Sequence, residues 1–525
     1  QNVKNALTDY NRENYGVYNQ EMPNLPAVVG TYDYFSASAA GLSSSFHINR
    51  NGIGNFAPAQ RTNIDVGSVI GAEFGFGGLA HLGLDVEVSG NIYQSGKWKN
   101  ANGIDQNLIF SGSDKDQEGA YFTSFGEQGE TDNNFFTQVH NGDLIHTPLL
   151  IGAAGAGAAN AWAVNNSSIV SIDEPVRRNN RQKRTTSISY LTGAEAAEVG
   201  LDKKIEHYPR NQLVCSTCTV SAISEANKLE RVTEENTTEA RRAPYHISEI
   251  TITQPDGSRY VYGLPTYNRS QAEVTFSIDQ SNTATFLDPT NPDYGLVPYS
   301  TAEASLDNEA GKDHFYDRSE TPAYAYGYLL TAVLSADYED QTGNGISDDD
   351  TGTAIKFNYT RESHDYAWRS VISNNGTKAK YADGNRADHD DDKAMYSHGT
   401  KEIWYPHSIE SRTMLAQFIT KDREDGYSVD ENGIVYNDTG NSETNERQHL
   451  RALDKIQLYT KSEIARAKAA TVAPVPLKSV YFDYEYSLCG NTPNSKAATG
   501  GKLTLKSLWF TFGNSEAGRL HPYKF

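Results

Sequence analysis

The sequence predicts a mainly β fold, with antiparallel sheets arranged as a sandwich or shell and one or two short helices. The composition points there first: 32 Tyr against 3 Met, with 43 Gly. Tyr, Thr and Val suit pleated, half-buried strands, and Gly and Asn suit the turns between them. Apolar residues recur at every second position in segments such as Leu82-Gly83-Leu84-Asp85-Val86-Glu87-Val88, which gives one buried and one wet face. Only two stretches carry helix signals.

The chain has 525 residues, 37% of them hydrophobic and 22% charged. That apolar content excludes a wholly disordered chain. No stretch approaches the roughly 20 apolar residues of a membrane span. The nearest, 148–164, is mostly Ala and Gly. With 46 Lys+Arg against 67 Asp+Glu, the net charge is −21. Phosphates would be repelled from most of such a surface, so nucleic acid is not an expected partner, whereas divalent cations are. Three Cys and three Met leave little to oxidise, which suits an exported protein. The first residue is Gln, so the sequence reads as lacking a leader or as part of a longer chain.

Along the chain, 66–78 is glycine-rich, with Phe74 and Phe76 in alternation. Gly75, Gly77 and Gly78 lack dinucleotide-fingerprint spacing. Small residues dominate 143–163, and a boundary is placed after them, giving an N-terminal β-rich domain at 1–165 and further β-rich structure at 166–525. The run Arg177 to Arg184, five basic residues in eight, reads as a solvated loop, a protease-sensitive linker or a dock for acidic loops. Thr192-Gly193-Ala194-Glu195 has capping-box spacing and opens a short helix that Gly200 can end. The strongest hairpin is 247–263. There Ile250 and Ile252 alternate with Thr, and Pro255-Asp256-Gly257 supplies the turn. Strands are expected at 273–278, 325–334, 354–359, 401–405, 456–459, 479–486 and 503–512. A second helix is expected at 462–470, ahead of Pro474 and Pro476. Tyr523 and Phe525 suggest the start of another strand.

The best chemical signal is the stretch 337–350, with six acids in fourteen residues. Counted from Asp340, oxygen-bearing side chains fall at positions 1, 3, 5 and 9 (Asp340, Thr342, Asn344, Asp348). Gly345 stands at position 6, and Ile346 at position 7 offers its carbonyl. This is the pattern of a calcium loop, because a hard cation takes six to eight oxygens. Position 12 is Thr351 rather than a bidentate Glu, and Asp350 falls one residue short. The candidate metal ligands for Ca2+ are therefore Asp340, Thr342, Asn344, Ile346, Asp348 and Asp350, set against the plainer reading of an acidic solvated turn. A second acidic run, Asp383 to Lys393, includes Asp388, Asp390, Asp391 and Asp392 but has no comparable glycine.

Cys215-Ser216-Thr217-Cys218 admits a local disulfide, two free thiols or half of a metal site. No second CxxC or His pair completes four zinc ligands, and Cys489 is left over. There is no GxSxG, HExxH or P-loop. No catalytic residue is assigned. Ile403-Trp404-Tyr405-Pro406-His407 could stack on sugars, but aromatic residues in strands more often belong to the core.

Three patches carry a resemblance. One is Gln254-Pro255-Asp256-Gly257-Ser258-Arg259-Tyr260-Val261-Tyr262-Gly263. Another runs from Tyr324-Ala325-Tyr326-Gly327-Tyr328-Leu329-Leu330 through the acidic loop to Lys356-Phe357-Asn358-Tyr359. The third comprises Asp483-Tyr484-Glu485-Tyr486-Ser487-Leu488-Cys489, Gly501-Lys502-Leu503-Thr504-Leu505, Trp509-Phe510-Thr511-Phe512-Gly513-Asn514-Ser515 and Pro522-Tyr523. With 69–98, these resemble very large exported proteins of Bacteroidota-type bacteria, some similar to Rhs/YD-repeat proteins. The resemblance implies an internal section of a much longer polypeptide, exported by a type IX route to the cell surface or beyond. It implies a non-enzymatic scaffold or binding module whose partners are other sections of the same chain, a surface glycan or other surface proteins. Part of an Rhs-like toxin-delivery shell is an alternative. A secreted glycan-acting hydrolase is another, which would need a cleft with two carboxylates about 5–10 Å apart.

Overall fold

The computed structural model describes residues 34–50, 186–198, 204–215, 227–233, 242–244, 246–279, 286–290, 294–343, 345–373, 377–382, 391–436 and 449–525. It also describes the backbone of short strands at 15–18, 55–57, 60–64, 70–76, 80–86, 90–94, 97–99 and 120–124. The chain divides into two compact units, Tyr32–Arg184 and a second comprising Gln1–Thr31 and Thr185–Phe525.

In the Tyr32–Arg184 unit, Tyr34–Ala39, Leu42–Arg50 and Ala120–Ser124 form a three-stranded antiparallel sheet, and Phe35 stacks on Phe46 across the first hairpin. Ile70–Phe76 pairs with Ala80–Val86, setting Phe74 opposite Leu82. The strand expected at 82–88 begins and ends two residues earlier. The small-residue stretch at 143–163 and the basic run at 177–184 lie outside the described residues.

The larger unit holds a 17-stranded sheet. Its strands are β1 (Tyr15–Tyr18), β2 (Ser187–Thr192), β3 (Ile247–Thr253), β4 (Arg259–Tyr262), β5 (Leu264–Ser277), β6 (Leu296–Pro298), β7 (Tyr316–Thr321), β8 (Tyr324–Leu329) and β9 (Ala332–Leu334). They continue with β10 (Ala354–Arg369), β11 (Lys378–Tyr381), β12 (Lys393–Glu410), β13 (Met414–Tyr427), β14 (His449–Thr460), β15 (Lys478–Leu488), β16 (Lys502–Phe512) and β17 (Tyr523–Lys524). All the pairings are antiparallel, so the fold is mainly β, as the composition predicts.

Two long strands organise the sheet. β5 pairs with β7 and β8 on one edge and with β12 on the other. β12 takes β5, β10, β11 and then β13 along its 18 residues. From β12 onward the chain runs as a meander through β13, β14, β15, β16 and β17. Strands this long stay in register by using bulges. Asn358 pairs with Ser408 while Tyr359 pairs with Pro406, so His407 is the extra residue. A bulge is where a strand tolerates Pro, and it re-aims side chains. Pro406 is exposed, and His407 and Ser408 are both buried. A core cluster sits where β5, β6, β7, β11 and β12 meet, around Val274, Phe276, Val297, Tyr316 and Tyr396.

The described residues hold two α-helices. α1 (Gly193–Glu198) is opened by the predicted box: Glu195 N–H donates to Thr192 Oγ1 at 3.3 Å, and Thr192 N–H donates to Glu195 Oε2 at 2.8 Å. α2 (Lys461–Ala469) starts one residue before its expected position, with Thr460 as N-cap. No described helix is long and apolar enough to cross a membrane.

Candidate functional site

The acidic loop joins β9 to β10. A single bridge between Glu339 and Thr351 closes it, and Gly343, Gly345 and Gly352 supply positive φ values of 69°, 81° and 70°. Gly352 is required twice over, because a Cβ there would lie 2.7 Å from the Tyr338 backbone.

Within this frame Asp340 organises the turn. Its Oδ1 accepts from Thr342 N at 3.2 Å and Gly343 N at 2.7 Å, and its Oδ2 from Gly345 N at 2.9 Å. Thr342 turns its hydroxyl to Asp349 Oδ2 at 3.1 Å. Ile346 lines a small adjacent cleft. Asp348 is exposed and lies 3.4 Å from Lys461 Nζ. Asp350 is buried, accepting from Tyr338 Oη and Ser347 N, both at 2.8 Å. Burial, and then the Asp350 carboxylate, push the Tyr338 hydroxyl well above its ordinary value. Asn344 lies outside the described residues. The five described ligands of the six expected thus sit on one loop, but Asp340 and Asp350 are turned toward N–H and O–H donors. Among the described residues no group of three or more His, Cys, Asp or Glu is placed to hold a metal. Each of these carboxylates still has lone pairs to offer, since an ionised carboxylate presents about four acceptor sites.

The cleft beside the loop has a volume of about 30 Å³, room for a water or two. Its walls include Asp348 and Asp350 on one side and Lys356, Arg412 and Lys461 on the other. The loop's acids therefore share the cleft with three cations, from β10, the β12–β13 turn and the start of α2, and with Glu410.

The interior contains charged groups that sequence reasoning missed. Arg242 and Glu402 are both almost fully buried and form an ion pair at 2.5 Å. Glu402 Oε2 also accepts from Tyr267 N at 3.2 Å and Trp404 Nε1 at 3.1 Å, and Arg242 lies 5.0 Å from the centre of the Tyr267 ring. Trp404 is half-buried and packs against the core cluster of Ile205, Leu229 and Leu264. Glu410, also buried, accepts from Asn358 Nδ2 at 2.6 Å, with Cys215 Sγ 3.6 Å away. Cys215 is disulfide-bonded and Cys489 is free and exposed; Cys218 lies outside the described residues.

Of the second acidic run, 383–390 lies outside the described residues. Asp391, Asp392 and Lys393 are buried. Lys393 Nζ contacts Asp391 Oδ2 and both oxygens of Asp313, at 2.9 and 3.0 Å. Burial would raise the Asp313 carboxyl, but the bonds from Lys393 and Ser277 outweigh it and hold the group below its ordinary range. The sequence signal for this cluster was thin: an Asp-Asp-Lys run at the mouth of a strand, with its third acid 78 residues upstream of Asp391.

Comparison with protein families, with curated proteins and with solved structures finds no match to the chain.

Proposed function

We propose that the chain is a non-enzymatic structural or binding section of a large exported cell-surface protein, with its acidic loop stabilised by calcium. The observation that carries this reading is how the interior charges are used. Arg242 with Glu402, and Lys393 with Asp313 and Asp391, tie connecting segments to β12 of one extended antiparallel sheet. Charges arranged in this way support the reading of a scaffold. The disulfide at Cys215 adds support for export, because such bonds persist in oxidising compartments. The partners this reading calls for are other sections of the same polypeptide and surface glycans or proteins.

Calcium would draw on Asp340, Thr342, Asn344, the Ile346 carbonyl, Asp348 and Asp350. It would take over from Lys461 the task of neutralising Asp348. A ligand that binds only the folded chain raises its stability, by about 2.7 kcal/mol at a hundredfold excess over Kd. The test is thermal unfolding with calcium and with a chelator, on the chain and on an Asp340→Ala/Asp348→Ala variant. A calcium-dependent rise in Tm that the variant loses supports the reading. Equal Tm values in calcium and chelator for the unaltered chain would reduce the loop to a solvated turn.

A further inference from the structure

We propose that Lys393 and Asp313 join in an intramolecular isopeptide bond, formed inside the folded chain with Asp391 as the proton carrier.

The geometry assigns the three roles. Lys393 opens β12 and is the cross-strand partner of Ser277 at the end of β5. Its ammonium is sealed from water, with the side chain 2% exposed, and lies 5.1 Å from the centre of the Phe315 ring. Asp313 arrives from the segment before β7 and meets Nζ with both oxygens, at 2.9 and 3.0 Å. That two-oxygen contact holds the nitrogen against the Asp313 carboxyl group. Asp391 touches Nζ through Oδ2 alone, as a proton acceptor would. Its Oδ1 accepts from Lys312 N at 3.3 Å and lies 3.4 Å from Ser277 Oγ. Asp391 is therefore fixed in place beside the reacting pair.

The Asp313 oxygens differ in a way that suits acyl chemistry. Oδ1 accepts from Ser277 Oγ at 2.8 Å, with Phe315 N–H shared between it at 3.2 Å and Ser277 Oγ at 3.1 Å, so donors stand where negative charge would grow in a tetrahedral intermediate. Oδ2 accepts from Lys393 at 3.0 Å, and we assign it as the oxygen that leaves. Gly311 completes the enclosure. It has a φ of 71°, and a Cβ there would stand 2.6 Å from Asp391 Oδ1 and 2.7 Å from the Ser277 Cβ.

The step balances with these groups alone. The Lys393 ammonium gives a proton to Asp391, which passes it to Asp313 Oδ2, and the freed amine attacks the carbon of the now neutral Asp313 carboxyl. A C–N bond forms and the bond to Oδ2 breaks. The departing oxygen leaves as water with two of the three ammonium protons, one of them returned by Asp391. The third stays on the amide nitrogen, and Asp391 ends as a carboxylate. Nothing is oxidised or reduced. Holding the reactants in contact supplies the proximity term, and excluding water opposes hydrolysis of the product.

The experiment is the intact mass of the folded, purified chain after denaturation and reduction of its disulfide. The expected mass is below that of the sequence by one water molecule, with a digest peptide joining the Asp313 and Lys393 segments. A mass equal to that of the sequence overturns the proposal and leaves a buried ion cluster. Asp391→Asn keeps the shape of the site, so this variant is expected to show the full mass of its own sequence while unfolding cooperatively. Loss of water in that variant would overturn the role given to Asp391.

Discussion

At the scale of single residues, the burial of charge sets the largest effects. Glu402 is fully buried and neutralises Arg242, whose Nε and Nη1 have no other hydrogen-bond partner. Glu402→Ala leaves that guanidinium stranded in the interior. The expected loss is about 3–5 kcal/mol, measured by urea unfolding, because breaking a buried pair costs more than the pair itself contributes. A milder variant, Arg242→Met with Glu402→Met, is expected to recover much of that loss. Asp317 is a case of the opposite kind. Burial first, and the nearby Glu273 second, raise its carboxyl above the ordinary 3.8. The folded chain then holds this proton more tightly than the unfolded chain does. Stability from this group is fully present below 3.8, falls as pH rises through the folded value, and stays low at neutral pH. Asp317→Asn is therefore expected to be more stable than the unaltered chain at neutral pH. The difference should vanish in acid, as read from unfolding midpoints across that range. Little of this was legible in advance. A Glu, Arg or Asp within a strand looks the same in sequence whether its partner is water or a residue 160 positions away, as Glu402 is from Arg242.

The local elements were far more legible, because their signals are local. The Thr192–Glu195 box and the Pro255-Asp256-Gly257 turn sit where the sequence places them, with Gly257 at a φ of 84°. The start of α2 was placed within one residue, but the way it stops was not foreseen. Expectation gave Pro474 and Pro476 the task of ending it. The chain instead closes a Schellman turn: Val472 N donates to Ala467 O at 2.9 Å and Thr471 N to Lys468 O at 3.0 Å. Thr471 occupies the left-handed position with a φ of 55°, which a β-branched residue resists. Thr471→Gly is expected to raise stability by about 1 kcal/mol, the cost of forcing an L side chain into that region. At the other end Thr460→Ala removes an N-cap bond to Glu463 N and is expected to cost about 1 kcal/mol. The two substitutions should shift Tm in opposite directions. Strand lengths were the weaker reading. Segments expected at 354–359 and 401–405 belong to strands of 16 and 18 residues. Alternation breaks at each bulge, and the extra residues such as His407 hide the continuation.

At the scale of the whole molecule, the sequence disclosed the sheet's class and its acidity but not its pairings. β5 and β12 lie more than a hundred residues apart yet pair along most of β5, and no local pattern announces that. The acidity makes a prediction of its own. A net charge of −21 destabilises a compact state through self-repulsion, and added salt screens it over roughly 10 Å at 0.1 M. Sodium chloride is therefore expected to raise Tm gradually and without saturating at low concentration, because it acts on the whole surface. Calcium chloride at matched ionic strength separates this general term from the loop. If the ion bridges Asp340, Asp348 and Asp350, the calcium curve must rise above the sodium curve, saturate, and fall back onto it in the Asp340→Ala/Asp348→Ala variant. Superimposed curves for the unaltered chain would mean that Lys356, Arg412 and Lys461 already balance the loop, since all three face it across the cleft. Lys461→Met then becomes the informative variant. Removing the ammonium 3.4 Å from Asp348 should lower Tm at low salt, and sodium should restore most of the loss.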